Sequence, residues 1–164
     1  MNDGQIPLGV VAKGAMAGLV GGLAIVCLIR RAQEVAPSAP GLAQELQREE
    51  PNAQIARRLA RSIFGVELGE AEDEAWGQVF HWGYSALWGV LYGLVQSSLR
   101  LPWWLHGALL GAAVWASGHL VLLPRMKLLP PPEDRPPREL GIGWAMYTVY
   151  GLTTPGAFRL LSLA

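Results

Sequence analysis

Four long apolar stretches are separated by polar or charged ones along the chain. The first runs from about Leu8 to Ile29, interrupted by Lys13 and stopped by Arg30 and Arg31. Trp76 to Leu99 forms the second, Leu101 to Leu123 the third and Leu140 to Phe158 the fourth. Each is close to the roughly 20 apolar residues that a helix needs to cross a bilayer, and at 1.5 Å per residue the second reaches about 36 Å. The pattern predicts an all-α integral membrane protein, a single domain over residues 1–164 with four transmembrane helices in a bundle. A soluble bundle would have to bury four helices that are apolar on every face, which so short a chain does not do. Lys13 reads as an anchor whose ammonium snorkels to the near interface.

Spans one and two are joined by a charged insert, residues 30–75. After Pro51, Asn52 suits an N-cap, and Ile55, Leu59 and Ile63 recur every four residues while Arg57, Arg58 and Arg61 fall elsewhere. This predicts an amphipathic helix, cytoplasmic or interfacial. Its basic face has three readings: it lies on anionic lipid, it packs on its own bundle, or it binds a partner subunit. The acidic run Glu70, Glu72, Asp73 and Glu74 then suits the positive N-terminal end of span two. In span four, Thr153-Thr154-Pro155-Gly156 predicts a kink or an early end, because proline removes one helical hydrogen bond.

Composition agrees with this picture. Of 164 residues, 51% are hydrophobic and only 16% charged, against about 25% charged in ordinary soluble domains. Thirteen basic and thirteen acidic residues cancel, leaving no electrostatic handle for nucleic acid. The single cysteine, Cys27, lies in the first apolar run, where it is expected to behave as a small buried hydrophobe. The opening MNDGQIP has no basic n-region, so that run is expected to be retained.

Basic residues also orient the spans. The insert carries Arg30, Arg31, Arg48, Arg57, Arg58 and Arg61, and the connection after span three carries Arg125, Lys127, Arg135 and Arg138, whereas the opposite side has only Lys13, Arg100 and Arg159. Positive charge stays inside, so the insert 30–75 and the loop 124–139 are expected in the cytoplasm, with both termini outside. Gly14, Gly18 and Gly22, then Gly89 and Gly93, then Gly107 and Gly111 stand at four-residue spacing. Such faces let helix backbones approach closely, within one bundle or between copies of it. Trp76, Trp82, Trp103, Trp104 and Trp144 sit near span ends, as interfacial anchors do.

Candidate chemistry is sparse. His106, at the outer end of span three, is expected to face the headgroups. His81 and His119 lie at similar depth near the cytoplasmic side, and Glu139 and Tyr147 can join them from span four. Such a group can ligate a metal, haem or pigment, relay protons, or simply hydrogen-bond to neighbouring helices. No His-x-x-x-His, HExxH or Glu-x-x-His pattern imposes a metal geometry. On span two, His81, Ser85, Trp88, Tyr92 and Gln96 form one polar and aromatic stripe, either interhelical glue or the lining of a narrow cavity. There is no GxSxG elbow, P-loop, Cys/His dyad or acid pair within a span, so an enzyme is not expected.

The segments PNAQIARRLARSIFGVEL, VFHWGYSALWGVLYG, GALLGAAVWASGHLVLLPRMKLLPPP and VYGLTT resemble the YagU-type family of small bacterial inner-membrane proteins of unknown function, from about Pro51 to Leu161. The resemblance implies a multi-pass inner-membrane protein and supplies no activity. Relatives often carry a histidine where Tyr147 stands, so a two-histidine site implied by the family would have to draw on His119. The leading expectation is a non-enzymatic structural or accessory component of a membrane assembly, without a cofactor, in contact with lipid and with further copies or a larger complex. Two alternatives stay open: a small transport or proton-conducting unit using the span-two stripe, and a metal-, haem- or pigment-binding subunit using His81 and His119.

Overall fold

A computed structural model describes residues 8–35, 52–65, 67, 69–96, 98 and 101–163. Residues 36–51, with Arg48 and Pro51, lie outside the described residues, as do the opening MNDGQIP and Arg100. The chain is helical along almost all of its described length. Helix α1 spans Leu8–Val35, α2 Asn52–Leu59, α3 Glu70–Gln96, α4 Trp103–Trp115 and α5 Pro137–Leu163. A π-helical turn, Ala60–Phe64, continues α2 and ends at Gly65 in the left-handed region, φ 65°. A second one, Ala116–Leu122, continues α4 toward Arg125.

Two helices meet the length and hydropathy of a membrane span, Leu8–Glu34 and Trp103–Arg125, where the sequence pattern predicts four. Helices α3 and α5 have the length, at 27 residues each, but their polar side chains lower their average hydropathy. The helices also overrun the apolar stretches. Helix α1 carries on through Arg30 and Arg31, with Arg31 paired to Glu34 at 2.9 Å. Helix α3 starts within the acidic run, six residues ahead of Trp76.

Pro155 neither ends α5 nor breaks it, since the helix runs eight residues farther to Leu163. The missing N–H frees the carbonyl of Gly151. That carbonyl lies against Gly107 of α4, 2.7 Å from where a Cβ on Gly107 would stand. The neighbouring Thr153 hydroxyl donates to Val149 O at 2.7 Å, one turn back.

The bundle is ordered α3, α1, α5, α4 in space. Helix α1 packs antiparallel to α3 on one side and α5 on the other, and α4 packs on α5. Glycine decides these pairings. A Cβ on Gly14 would stand 2.6 Å from Gly89 O, and one on Gly18 would overlap Ser85 O. At the second seam, a Cβ on Gly111 would stand 2.5 Å from Tyr147 O, and one on Gly151 would overlap Gly107 O. Small faces therefore set backbone contact at both seams, as association in lipid favours. Ile25, Leu110, Val114, Met146 and Tyr150 form the core between them. Cys27 departs from expectation: it is exposed on the outside of α1.

The predicted amphipathic helix is α2. Its Ile55 and Ala56 are buried, and it lies along α3, where Gly77 admits Ala53 so closely that a Cβ would stand 3.0 Å from the Ala53 amide nitrogen.

Candidate functional site

Consecutive helices α3 and α4 scarcely touch, because the glycine faces commit each of them elsewhere. The gap between them is a cavity of about 200 Å³, walled by Trp88, Leu91, Val95, Leu109 and Leu110 and carrying Tyr92, Gln96 and His106. The Tyr92 hydroxyl lies 3.4 Å from His106 Nδ1, and the two rings meet edge to face. His106 is 8% exposed. It does not face the headgroups, because the turn of α4 that places Trp103 and Trp104 outward places His106 inward toward α3.

The span-two stripe divides in two. Trp88, Tyr92 and Gln96 line the cavity, whereas His81 and Ser85 are buried against α1. His81 Nε2 lies 3.3 Å from Gly22 O, and its Nδ1 lies 3.5 Å from Asn52 Nδ2. These partners suit the neutral tautomer that donates from Nε2 and accepts at Nδ1, so one ring ties α1, α2 and α3 together. A metal at either nitrogen would have to displace one of these contacts. Ser85 acts through its backbone, its carbonyl accepting the Tyr150 hydroxyl at 2.7 Å.

His119 has different neighbours. It is fully buried in the π-helical turn, with its ring edge-on to Tyr147 at 5.1 Å. Such turns often occur at functional sites. Glu139 lies 3.8 Å from Arg135 Nε rather than beside a histidine in that pair. Among the described residues no group of three or more His, Cys, Asp or Glu is arranged to hold a metal.

Arg57, Arg58 and Arg61 come together at the end of the bundle where α3 begins and α4 ends. With Gln54, Ser62, Met126 and Leu128 they line an open hollow of about 930 Å³. Arg58 donates to the carbonyl of Met126, and Arg61 lies 3.6 Å from Glu67.

Gly21 and Arg135 escape a reading by motif, and the motif VYGLTT marks Tyr150 and Gly151 without giving their packing roles. Gly21, beside the Gly14-Gly18-Gly22 row, faces Tyr150 and Thr154 of α5. Arg135, 5% exposed, counts in the sequence only as one charge of a proline-rich loop. Gly151 lies eight residues after the buried Gly143, a spacing of small residues that could have marked that face of α5.

No curated protein and no solved structure matches the chain. A family model described as a protein of unknown function, DUF1440, matches residues 44–153.

Proposed function

The chain belongs to the DUF1440 family, which carries no assigned function, and we propose its role from the geometry: a four-span, non-enzymatic membrane protein serving as a structural or accessory component of a membrane assembly. One observation carries this. All four long helices turn large apolar side chains outward, with Leu23 50% exposed on α1, Leu87 53% on α3, Leu109 49% on α4 and Leu160 70% on α5. Soluble monomers seldom leave apolar belts of this extent in water. In both the Leu8–Glu34 and Trp103–Arg125 spans only 33% of the apolar window is buried inside the protein, unlike the core helix of a soluble domain. Lipid explains the rest. Among the residues that lower the average hydropathy of α3 and α5 are His81, Ser85, Tyr150 and Thr154, and all four are buried, where lipid does not meet them.

The polar interior supports structure over catalysis, since His81, Ser85 and Tyr150 spend their contacts on neighbouring helices. The YagU-type resemblance adds the bacterial inner membrane as the compartment, and the basic residues add cytoplasmic sides for the insert 30–75 and the loop 124–139. A second reading, a small transport or proton-conducting unit, draws on the α3–α4 cavity, where Tyr92, Gln96 and His106 bring polar groups to an apolar-walled gap.

Purification from native membranes in mild detergent, with absorbance, metal content and co-purifying chains recorded together, tests the proposal. The expected result is extraction only by detergent, a stoichiometric partner or further copies, and no chromophore. Release by alkaline carbonate would overturn the membrane reading. A pH-dependent flux in liposomes that disappears in Tyr92→Phe would favour the conducting unit instead.

A further inference from the structure

The arginine hollow has features that a merely solvated helix face lacks. Arg57, Arg58 and Arg61 turn away from the buried Ile55 and Ala56, so the apolar side of α2 is held by α3 and the basic side is left at the end of the bundle. The opposite lip is equally defined. The chain after α4 closes in a tight turn, with Met126 N–H donating to Leu122 O at 2.9 Å and Leu128 N–H to Leu123 O at 3.0 Å. Arg58 bonds across to the Met126 carbonyl, fixing the two lips to each other. Lys127 stands in the left-handed region, φ 53°, the only non-glycine residue to do so among those described. Glycine is the usual occupant of that position, and a strained residue beside a site is a pointer to function. Arg125 and Lys127 flank Met126 in the same turn, and the exposed Arg61 lies 3.6 Å from Glu67.

We propose that this hollow binds the phosphate of an anionic phospholipid headgroup. Guanidinium groups present paired N–H donors that match two oxygens of a phosphate, and basic side chains at the cytoplasmic surface are drawn to anionic lipid. The hollow lies beyond the start of α3 and the end of α4, at headgroup depth if these helices span. The inference rests on the membrane reading above. Inorganic phosphate is the other source of the same oxyanion.

The test uses the full chain in a neutral detergent, loaded with equimolar phosphatidylglycerol and phosphatidylcholine and read by native mass spectrometry. Retention of phosphatidylglycerol over phosphatidylcholine by about tenfold is expected. This preference should fall toward unity in Arg57→Gln/Arg61→Gln. Arg61→Gln alone, at a side chain 75% exposed, should lower it without disturbing the fold, and circular dichroism checks that helix content is kept. Equal retention of the two lipids by the wild type, or an undiminished preference in both variants, overturns the proposal. Binding of inorganic phosphate that displaces the lipid overturns the lipid assignment. Were the chain to remain in solution without detergent, the membrane reading would fail separately, and binding of inorganic phosphate lost in Arg61→Gln would still report the oxyanion site.

Discussion

The hydroxyl of Tyr150 donates to the backbone carbonyl of Ser85 at 2.7 Å, and that same carbonyl occupies the place a Cβ on Gly18 would need. Helices α1, α3 and α5 thus meet at one oxygen. The Tyr150→Phe variant keeps the ring and removes the donor, so it isolates this bond. It should cost about 0.5–1.5 kcal/mol, near the modest values found between membrane helices. Unfolding in mixed detergent and dodecyl sulfate micelles measures the loss, and unchanged stability would show that the bond contributes nothing.

The same seam makes Gly18 intolerant of any side chain. Gly18→Ala should destabilise by about 1–3 kcal/mol as α1 and α3 are pushed apart. Gly9, in the first turn of α1, has nothing within 4 Å of its Cβ position. Gly9→Ala should therefore be neutral or stabilising by up to about 1 kcal/mol through helix propensity. Equal effects at the two glycines would contradict glycine-mediated contact.

Lys127 offers a test in the opposite direction. Its left-handed backbone, φ 53°, costs an L-residue about 1–2 kcal/mol. Lys127→Gly should relieve this and raise the unfolding midpoint, while weakening retention of phosphatidylglycerol. A lower midpoint would mean that the lysine side chain stabilises the turn by more than its backbone costs.

His81 and Asn52 should be coupled. With Nδ1 of the ring 3.5 Å from Asn52 Nδ2, the loss in the double variant His81→Ala/Asn52→Ala should fall short of the sum of the single losses by about 0.5–1 kcal/mol. Strict additivity would indicate that α2 docks through Ile55 and Ala56 alone.

Periodicity and spacing made much of this legible. Each of the four apolar stretches falls mostly on helix, although α3 ends at Gln96 and α4 begins only at Trp103, and the four-residue glycine rows lie at the seams they suggest. Pairing was harder to read. Consecutive spans invite the assumption that span two lies against span three, which would bring His81 and His119 together. The glycine faces overrule proximity in sequence: Gly89 pairs with Gly14 and Gly18, and Gly107 and Gly111 meet Gly151 and Tyr147. The α3–α4 gap follows from those choices. The inward turn of His106 is not legible in sequence, because position along a span gives depth but not rotation, and rotation depends on which face of α4 meets its neighbours. Pro155 passes through α5, and the Gly151 carbonyl that it frees lies against Gly107, a contact that only the packed bundle reveals.

The four-span account requires α3, which is less apolar than α1 and α4, to cross the membrane. Single cysteines introduced by Ser62→Cys and Ser98→Cys, each in a Cys27→Ser background, bracket that helix. Labelling with a membrane-impermeant maleimide on sealed vesicles, before and after lysis, reads their sides. The expected result is labelling from opposite faces, with position 98 reached in right-side-out vesicles and position 62 only after lysis. Labelling of both positions from one face would contradict the four-span bundle.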